Sequence, residues 1–337
     1  MSADGNVLIL GIETSCDETG ASVVADGREI RSNIIASQAQ LHEITGGVVP
    51  EIASREHVAK VNAVIGEALK VAGIGFSDLD AVAVANRPGL VGALLVGVSA
   101  AKAIAYAARK PLIGIHHIEA HIYANYLTQN DIQLPAVCLV ASGGHSEIFL
   151  VRGHADYEIL GRTRDDAAGE AFDKSARLLG IGYPGGAVID RLAQTGNPDA
   201  IRFPRAWLAP GSLDLSFSGL KTAVRNLSRQ GIDQYSIEDW AASLQAAIVD
   251  ILVGKTIEAA RRTGVRQVMA AGGVAANSGL SAALKSACAS DGLALSIPPP
   301  ILCTDNAAMI ACTGYYHLKA GAVDDLNLDT LASERLA

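Results

Sequence analysis

Apolar runs a few residues long, each closed by a polar turn, set the pattern of the first third of the chain. Residues 7–12 form such a run and predict a buried strand, followed by the polar stretch 13–20. Residues 21–25 predict a second strand, Asp26-Gly27 a tight reversal, and residues 29–36 a third strand. The middle of the chain repeats this order: a strand over 136–141, the polar turn Ser142-Gly143-Gly144-His145, a strand over 146–151, a reversal at Arg152-Gly153 and a strand over 157–161. Between the meanders the period lengthens to that of helices. Residues 50–71 carry Ile52, Val58, Val61, Val64, Ile65 and Leu69 at helical spacing, with Gly73 as the stop. A strand over 79–85, the Arg87-Pro88-Gly89 turn, an apolar helix over 90–109 and a strand over 111–115 follow. The chain then reads as irregular around Tyr183-Pro184-Gly185-Gly186 and over 202–217. Helix resumes over 237–262, a strand over 267–271 leads into Gly272-Gly273, and another helix follows Asp305-Asn306.

Strand, polar turn, strand, reversal, strand, occurring twice half a chain apart, implies a duplicated α/β fold. Actin, Hsp70 and the sugar kinases (the ASKHA fold) are built this way, as two lobes flanking a central cleft. A length of 337 residues exceeds one ordinary core and agrees with two lobes. Residues 1–111 form the expected N-terminal lobe and 112–321 the C-terminal lobe, which would carry the metal and most ligand-binding motifs; 322–337 return to the first.

Composition narrows the class. Half of the residues are hydrophobic and few are aromatic, the profile of helix-on-sheet packing and not of a disordered or fibrous chain. No apolar run reads as long enough to span a bilayer: the longest, 90–108, contains Lys102, is interrupted by Gly92 and Gly97, and predicts a buried helix. Met-Ser-Ala-Asp-Gly at the start lacks the pattern of a signal peptide. The five cysteines form no CxxC pair and read as reduced thiols, so a cytoplasmic protein away from membranes is expected. The net charge of −8 excludes wrapping of nucleic acid by bulk electrostatics; a local basic patch or a partner would have to supply the positive field.

The sharpest candidate chemistry lies in His116-His117-Ile118-Glu119-Ala120-His121. If a helix starts after residue 115, His117 and His121 sit four apart on one face, where two imidazoles can ligate one metal. Glu119 then lies about 200° round the helix from His117, at about 100° per residue, and points away. Neither HExxH nor HxxEH is present, which disfavours metalloprotease chemistry. A third ligand has to come from elsewhere. Asp305 is the best candidate, although its local sequence reads first as a helix N-cap. Such a His/His/Asp set suits Fe(II) or Zn. The turns 142–145, 183–186 and 272–277 offer backbone N–H groups and close approach to a ligand, and together point to a nucleotide cleft without a Walker A or GxGxxG loop. Asp17 and Glu18 occupy the first polar turn. Asp165, Asp166, Glu170 and Asp173 fall in one run, where Asp166, Glu170 and Asp173 share a helical face and read as a cluster facing a ligand.

Taken together, Ile12-Glu13-Thr14-Ser15-Cys16-Asp17-Glu18-Thr19, Gly46 to Glu51, His116 to His121, Ser142 to His145, Asp165 to Lys174, Tyr183 to Gly186, Ser216 to Thr222, Gly272 to Asn277 and Cys303 to Asn306 resemble the TsaD family over nearly the whole chain. This family once bore the label O-sialoglycoprotein endopeptidase. The resemblance implies a metal held by His117, His121 and Asp305, one divalent ion per subunit, Fe(II) before Zn. It implies adenylate contacts from Ala141, Ser142, Gly143, Gly144, His145, Asp173, Gly186, Asp190 and Asn277. Departures from the family pattern are Arg87 for a usual Gly, Ala141 for Val and Ala187 for Pro.

The implied activity is that of an acyltransferase of t6A modification in tRNA processing: threonylcarbamoyl passes from threonylcarbamoyl-AMP to N6 of adenosine 37 in tRNAs reading ANN codons. Asp17 or Glu18 would accept the amine's proton. The implied partners are tRNA, a TsaB-like paralogue and a TsaE-like ATPase, with a basic contribution from Arg202, Arg205, Lys221, Arg225 and Arg229. The rival readings are an ATPase or kinase of the actin-like fold, which needs no paired histidines, and a non-catalytic scaffold paralogue, which would lack the His/His/Asp set.

Overall fold

The structure, a computed structural model, describes residues 5–128 and 131–337. Its contacts divide into two compact units: the described residues before Asp131 with Asp305–Leu336, and Asp131–Thr304. The first unit opens with β1 (Leu8–Glu13), β2 (Glu18–Ala25), β3 (Glu29–Ser37), α1 (Ala39–Thr45) and α2 (Pro50–Ala72). It continues with β4 (Ala81–Arg87), α3 (Val91–Ala108), β5 (Leu112–His116) and α4 (His117–Tyr123). The second holds β6 (Ala136–Ala141), β7 (Ser146–Gly153), β8 (Asp156–Arg162), α5 (Ala168–Leu179), α6 (Gly185–Ala193), α7 (Ser218–Gly231) and α8 (Ile237–Thr263). It ends with β9 (Gln267–Ala271), α9 (Ser278–Asp291), β10 (Ala294–Ser296) and α10 (Pro300–Cys303), after which α11 (Ala307–Lys319) returns to the first unit.

Each unit is built on the same five-stranded sheet. In the first, the order is β3-β2-β1-β4-β5, with β1 antiparallel to β2 and parallel to β4. In the second, β8-β7-β6-β9-β10 repeats it, β6 standing antiparallel to β7 and parallel to β9. The duplication read from the two meanders therefore extends to the parallel strands beyond them. Strand β1 is buried along its whole length, as a strand covered on both faces must be. Leu8, Leu10 and Ile12 join the core made with Val61, Ile65 and Val98 of α2 and α3. The alternate positions meet α11. A side chain at Gly11 would come within 2.2 Å of the Ala307 carbonyl, so this close approach needs glycine.

The expected lobe boundary at 111/112 lies instead after residue 128. Strand β5 does not open a new sheet but pairs parallel with β4, and α4 follows it directly. The return to the first unit also comes earlier than residue 322, because α11 packs on β1, β2 and β4. His117, His121 and Asp305 consequently belong to the first unit and not to the second.

Among the described residues two helices, α3 and α8, are long and apolar enough to cross a membrane, which corrects the reading that no run reaches that length. Of the most apolar 18-residue stretch of α8, 72% is buried among its neighbours; of α3 only 33% is, with Val91, Leu95 and Tyr106 exposed, so the buried helix expected there buries one face. The stretch after the second meander is more regular than its sequence implies, since α5, α6 and α7 fall within it. All five cysteines are free thiols, and four of them are buried.

Candidate metal centre and binding cavity

The end of β5 and the start of α4 set the first site. His116 caps α4, its Nδ1 accepting from the Ile118 N–H. His117 and His121 then occupy successive turns of one face, with ring centroids 4.7 Å apart. Asp305 closes the group: its Oδ1 lies 3.6 Å from His117 Nε2 and 3.4 Å from His121 Nε2. The N-cap of α11 is Asn306, whose Oδ1 accepts from the Met309 N–H, so the capping role read for Asp305 falls to its neighbour. Glu119 points elsewhere, as the helical angle predicts, and pairs with His317 at 3.1 Å.

The donor set fits a metal ion. One ligand atom from each of His117, His121 and Asp305 lies within 4.8 Å of the others. Both ring nitrogens of His121 are buried without a hydrogen-bond partner, a costly arrangement for an imidazole unless a cation occupies the gap. Burial pushes His121 below the usual histidine range. Burial opposes charge on His117 as well, but the carboxylates of Glu13 and Asp305 outweigh it and raise its pKa to about 9. Asp17, in the turn after β1, and Glu18, the first residue of β2, are half-buried. Glu18 accepts from the Ser37 hydroxyl at 3.0 Å; burial first, then the charges of Asp17 and Asp305, raise its pKa to about 9.

The second unit contains a cavity of about 460 Å³. Helix α5 contributes Phe172 and Asp173; α6 contributes Gly186, Ala187, Asp190 and Arg191, with Gln194 just past its end; the loop after β9 contributes Gly273, Val274, Ala276 and Asn277. Gly272 makes that loop possible. Its φ is +87°, and a side chain there would meet the Ala141 carbonyl at 2.3 Å. The polar lining is held in place: Asp173 accepts from the Gly185 N–H, Asp190 from the Ser278 N–H and hydroxyl, and Asn277 caps α9 through the Leu280 N–H. A largely apolar concavity with a few fixed polar groups suits a nucleotide-sized ligand.

The TsaD family model, described as tRNA N6-adenosine threonylcarbamoyltransferase, matches residues 29–312. The chain belongs to the TsaD family. It is 54% identical over 326 residues to the tRNA N6-adenosine threonylcarbamoyltransferase of Symbiobacterium thermophilum, covering 96% of this chain and 95% of that one. The protein of that name from Bacillus subtilis is also 54% identical over 326 residues, covering 95% and 93%. Among solved structures, component A of the (R)-2-hydroxyglutaryl-CoA dehydratase of Acidaminococcus fermentans aligns with a TM-score of 0.57 at 16% identity, over 93% of this chain and 99% of that one. HypF of T. kodakarensis aligns at 0.61 and 17% identity, over 94% and 48%. At such identities the likeness is one of fold, the duplicated actin-like α/β architecture.

Of the adenylate contacts expected from the TsaD resemblance, Gly143, Asp173, Gly186, Asp190 and Asn277 line the one cavity. Ala141, Ser142, Gly144 and His145 do not. Ala141 is buried under Gly272 and paired across to Ser146, and Ser142 spends its carbonyl on the Gly169 N–H and its hydroxyl on the His145 N–H. Gly144 and His145 face a separate pocket with Arg162 and Arg164. Arg191, Gln194 and Thr304 line the cavity and were missed. For Arg191 and Gln194 a signal existed: with Ala187 and Asp190 they recur at helical spacing. The acidic run does not act as one cluster. Asp166 and Glu170 pair with Lys174, and Asp165 bonds residues 216–218, leaving Asp173 as the member that lines the cavity.

Proposed function

We propose that this TsaD-family chain transfers the threonylcarbamoyl group from threonylcarbamoyl-AMP to N6 of adenosine 37 in tRNAs reading ANN codons. Beyond family membership, one observation carries the reading: His117, His121 and Asp305 converge around an imidazole that has no other partner. A mixed nitrogen and oxygen set of three leaves positions open for substrate, and we assign it to one Fe(II), with Zn(II) as the alternative. When bound, such an ion supplies Lewis-acid polarisation of the acyl carbonyl.

The chain's own residues account for the remainder. The second unit's cavity retains the adenylate, with Asp173, Asp190 and Asn277 as its polar contacts. The N6 amine attacks the carbamoyl carbon, the anhydride C–O bond breaks, AMP leaves with the electron pair, and the amine loses one proton. Because burial and neighbouring carboxylates raise Glu18 to about 9, it holds its proton at neutral pH, and Asp17 is the member we assign as acceptor. An acidic chain needs help to hold RNA, so a TsaB-like paralogue and a TsaE-like ATPase complete the working assembly, in the cytoplasm where tRNA is modified. The kinase, ATPase and scaffold readings are not favoured, since none of them uses the His/His/Asp set.

The test is a transfer assay with threonylcarbamoyl-AMP, unmodified tRNA and the partner proteins, comparing wild type with His117→Ala and Asp17→Asn. Both variants are expected to lose at least tenfold in rate, the scale of one general-acid/base or metal contribution. Wild-type transfer by His117→Ala would remove the metal from the reaction, and wild-type transfer by Asp17→Asn would remove Asp17 as the acceptor.

A further inference from the structure

Glu13 ends β1 and is wholly buried, yet among the described residues its ion-pair partner is no lysine or arginine but His117. A buried carboxylate without a strong partner is costly, so its position calls for a reason. The geometry supplies one. Oε1 accepts from the Ser15 N–H at 2.5 Å, which fixes the rotation of the carboxylate. Oε2 lies 2.9 Å from His117 Nδ1, and the Ser15 hydroxyl lies 3.2 Å from the same nitrogen. The other ring nitrogen, Nε2, faces Asp305.

A neutral imidazole carries one N–H, and whichever nitrogen donates leaves the other bare for a metal. We propose that Glu13 is a positioning residue: its carboxylate accepts the Nδ1–H of His117, fixing the tautomer and ring angle that present Nε2 to the ion. The inference rests on the metal-site reading above. It distinguishes the two imidazoles. His117 is oriented by a carboxylate reached across 104 residues of sequence, whereas His121 Nδ1 has no such partner. Glutamine at position 13 cannot replace the carboxylate, because Ser15 N–H and His117 Nδ1 face different oxygens and the amide turns one of these into an NH2 that donates instead of accepting.

The experiment titrates the metal-free full-length protein with Co(II) and Zn(II), following cobalt d–d absorption and zinc competition. Wild type is compared with Glu13→Gln, with Glu119→Gln as a buried carboxylate on α4 that faces away, and with His117→Ala. Glu13→Gln is expected to weaken binding about 10- to 100-fold and to alter the cobalt spectrum, while Glu119→Gln leaves both near wild type. Equal affinity and an unchanged spectrum in Glu13→Gln would overturn the proposal while leaving the metal site standing. No binding by wild type, or undiminished binding by His117→Ala, would instead remove the site and this inference with it. Should Glu13→Gln fail to fold, nitrogen NMR of histidine-labelled, zinc-loaded wild type decides: a proton on His117 Nδ1 supports the assignment, and a metal on Nδ1 refutes it.

Discussion

Asp165 accepts hydrogen bonds from the Ser216 hydroxyl at 2.5 Å, the Phe217 N–H at 2.8 Å, and the Ser218 N–H and hydroxyl at 3.1 and 2.8 Å. Phe217 stands at the N-cap of α7 and has no side chain to cap it, so a carboxylate from 52 residues upstream does so. Partial burial works against its charge, but the hydrogen bonds outweigh this and hold its pKa below the usual value of 3.8. A group depressed on folding contributes fully above its unfolded pKa, and that contribution is lost as pH falls through the folded value. Asp165→Ala should therefore cost about 1–2 kcal/mol at neutral pH, with the gap from wild type narrowing below about pH 3. Denaturant unfolding at both pH values measures it, and an equal gap at each would show that charge plays no part. The same residue marks where the sequence stopped being informative. The spacing of His117 and His121 is local and could be read; the partners of Asp165 and Glu13 arrive from other elements, and helical-face arithmetic cannot see them. Asp305 was ambiguous for the opposite reason, since Asn306 beside it can cap a helix equally well.

At the scale of elements, strand and helix periods carried the two meanders, α2, α8 and β9 almost to their ends. They failed for β10, which is three residues long, and for α6 and α7, which are packed into place by α5 and, for α6, by α8. The tail was the least legible part. Its last residues look unpatterned because their bonds are to the ends of β4 and β5. The Leu331 N–H donates to the Asn86 carbonyl, Asn86 Nδ2 donates to the Asp329 carbonyl, and the Gly89 N–H donates to Ala332. Arg87, the departure from the family's glycine, pairs with Glu334, whose carbonyl also meets His116 Nε2 at 3.2 Å. That pair is half-exposed, so Arg87→Gly should lower global stability by less than about 1 kcal/mol. Its effect should be local. Amide hydrogen exchange at Leu331 and Ala332 should accelerate while β4 interior amides keep their protection, and unchanged exchange at the tail would show that Arg87 does not secure it.

On the scale of the whole molecule the question is how a chain with a net charge of −8 contributes to holding tRNA. Not every residue of the basic segment is available, because Arg205 is engaged by Asp250. Helix α7 is different. Lys221, Arg225 and Arg229 recur every fourth residue, all three are exposed, the helix contains no acidic residue, and none of the three forms an ion pair among the described residues. Such a face offers up to three phosphate contacts, each of which releases a counterion and steepens the salt dependence of binding. Replacing the three together by glutamine should weaken tRNA binding by the full assembly and reduce the slope of log affinity against log salt by about 0.7–0.9 per contact, roughly 2 to 3 in all. Transfer at saturating tRNA should persist, because none of these side chains belongs to the metal centre or lines the cavity. Binding measured across a salt series reads both quantities. A slope equal to that of the wild type would assign the RNA field to the partner proteins alone and leave α7 an ordinary solvated helix.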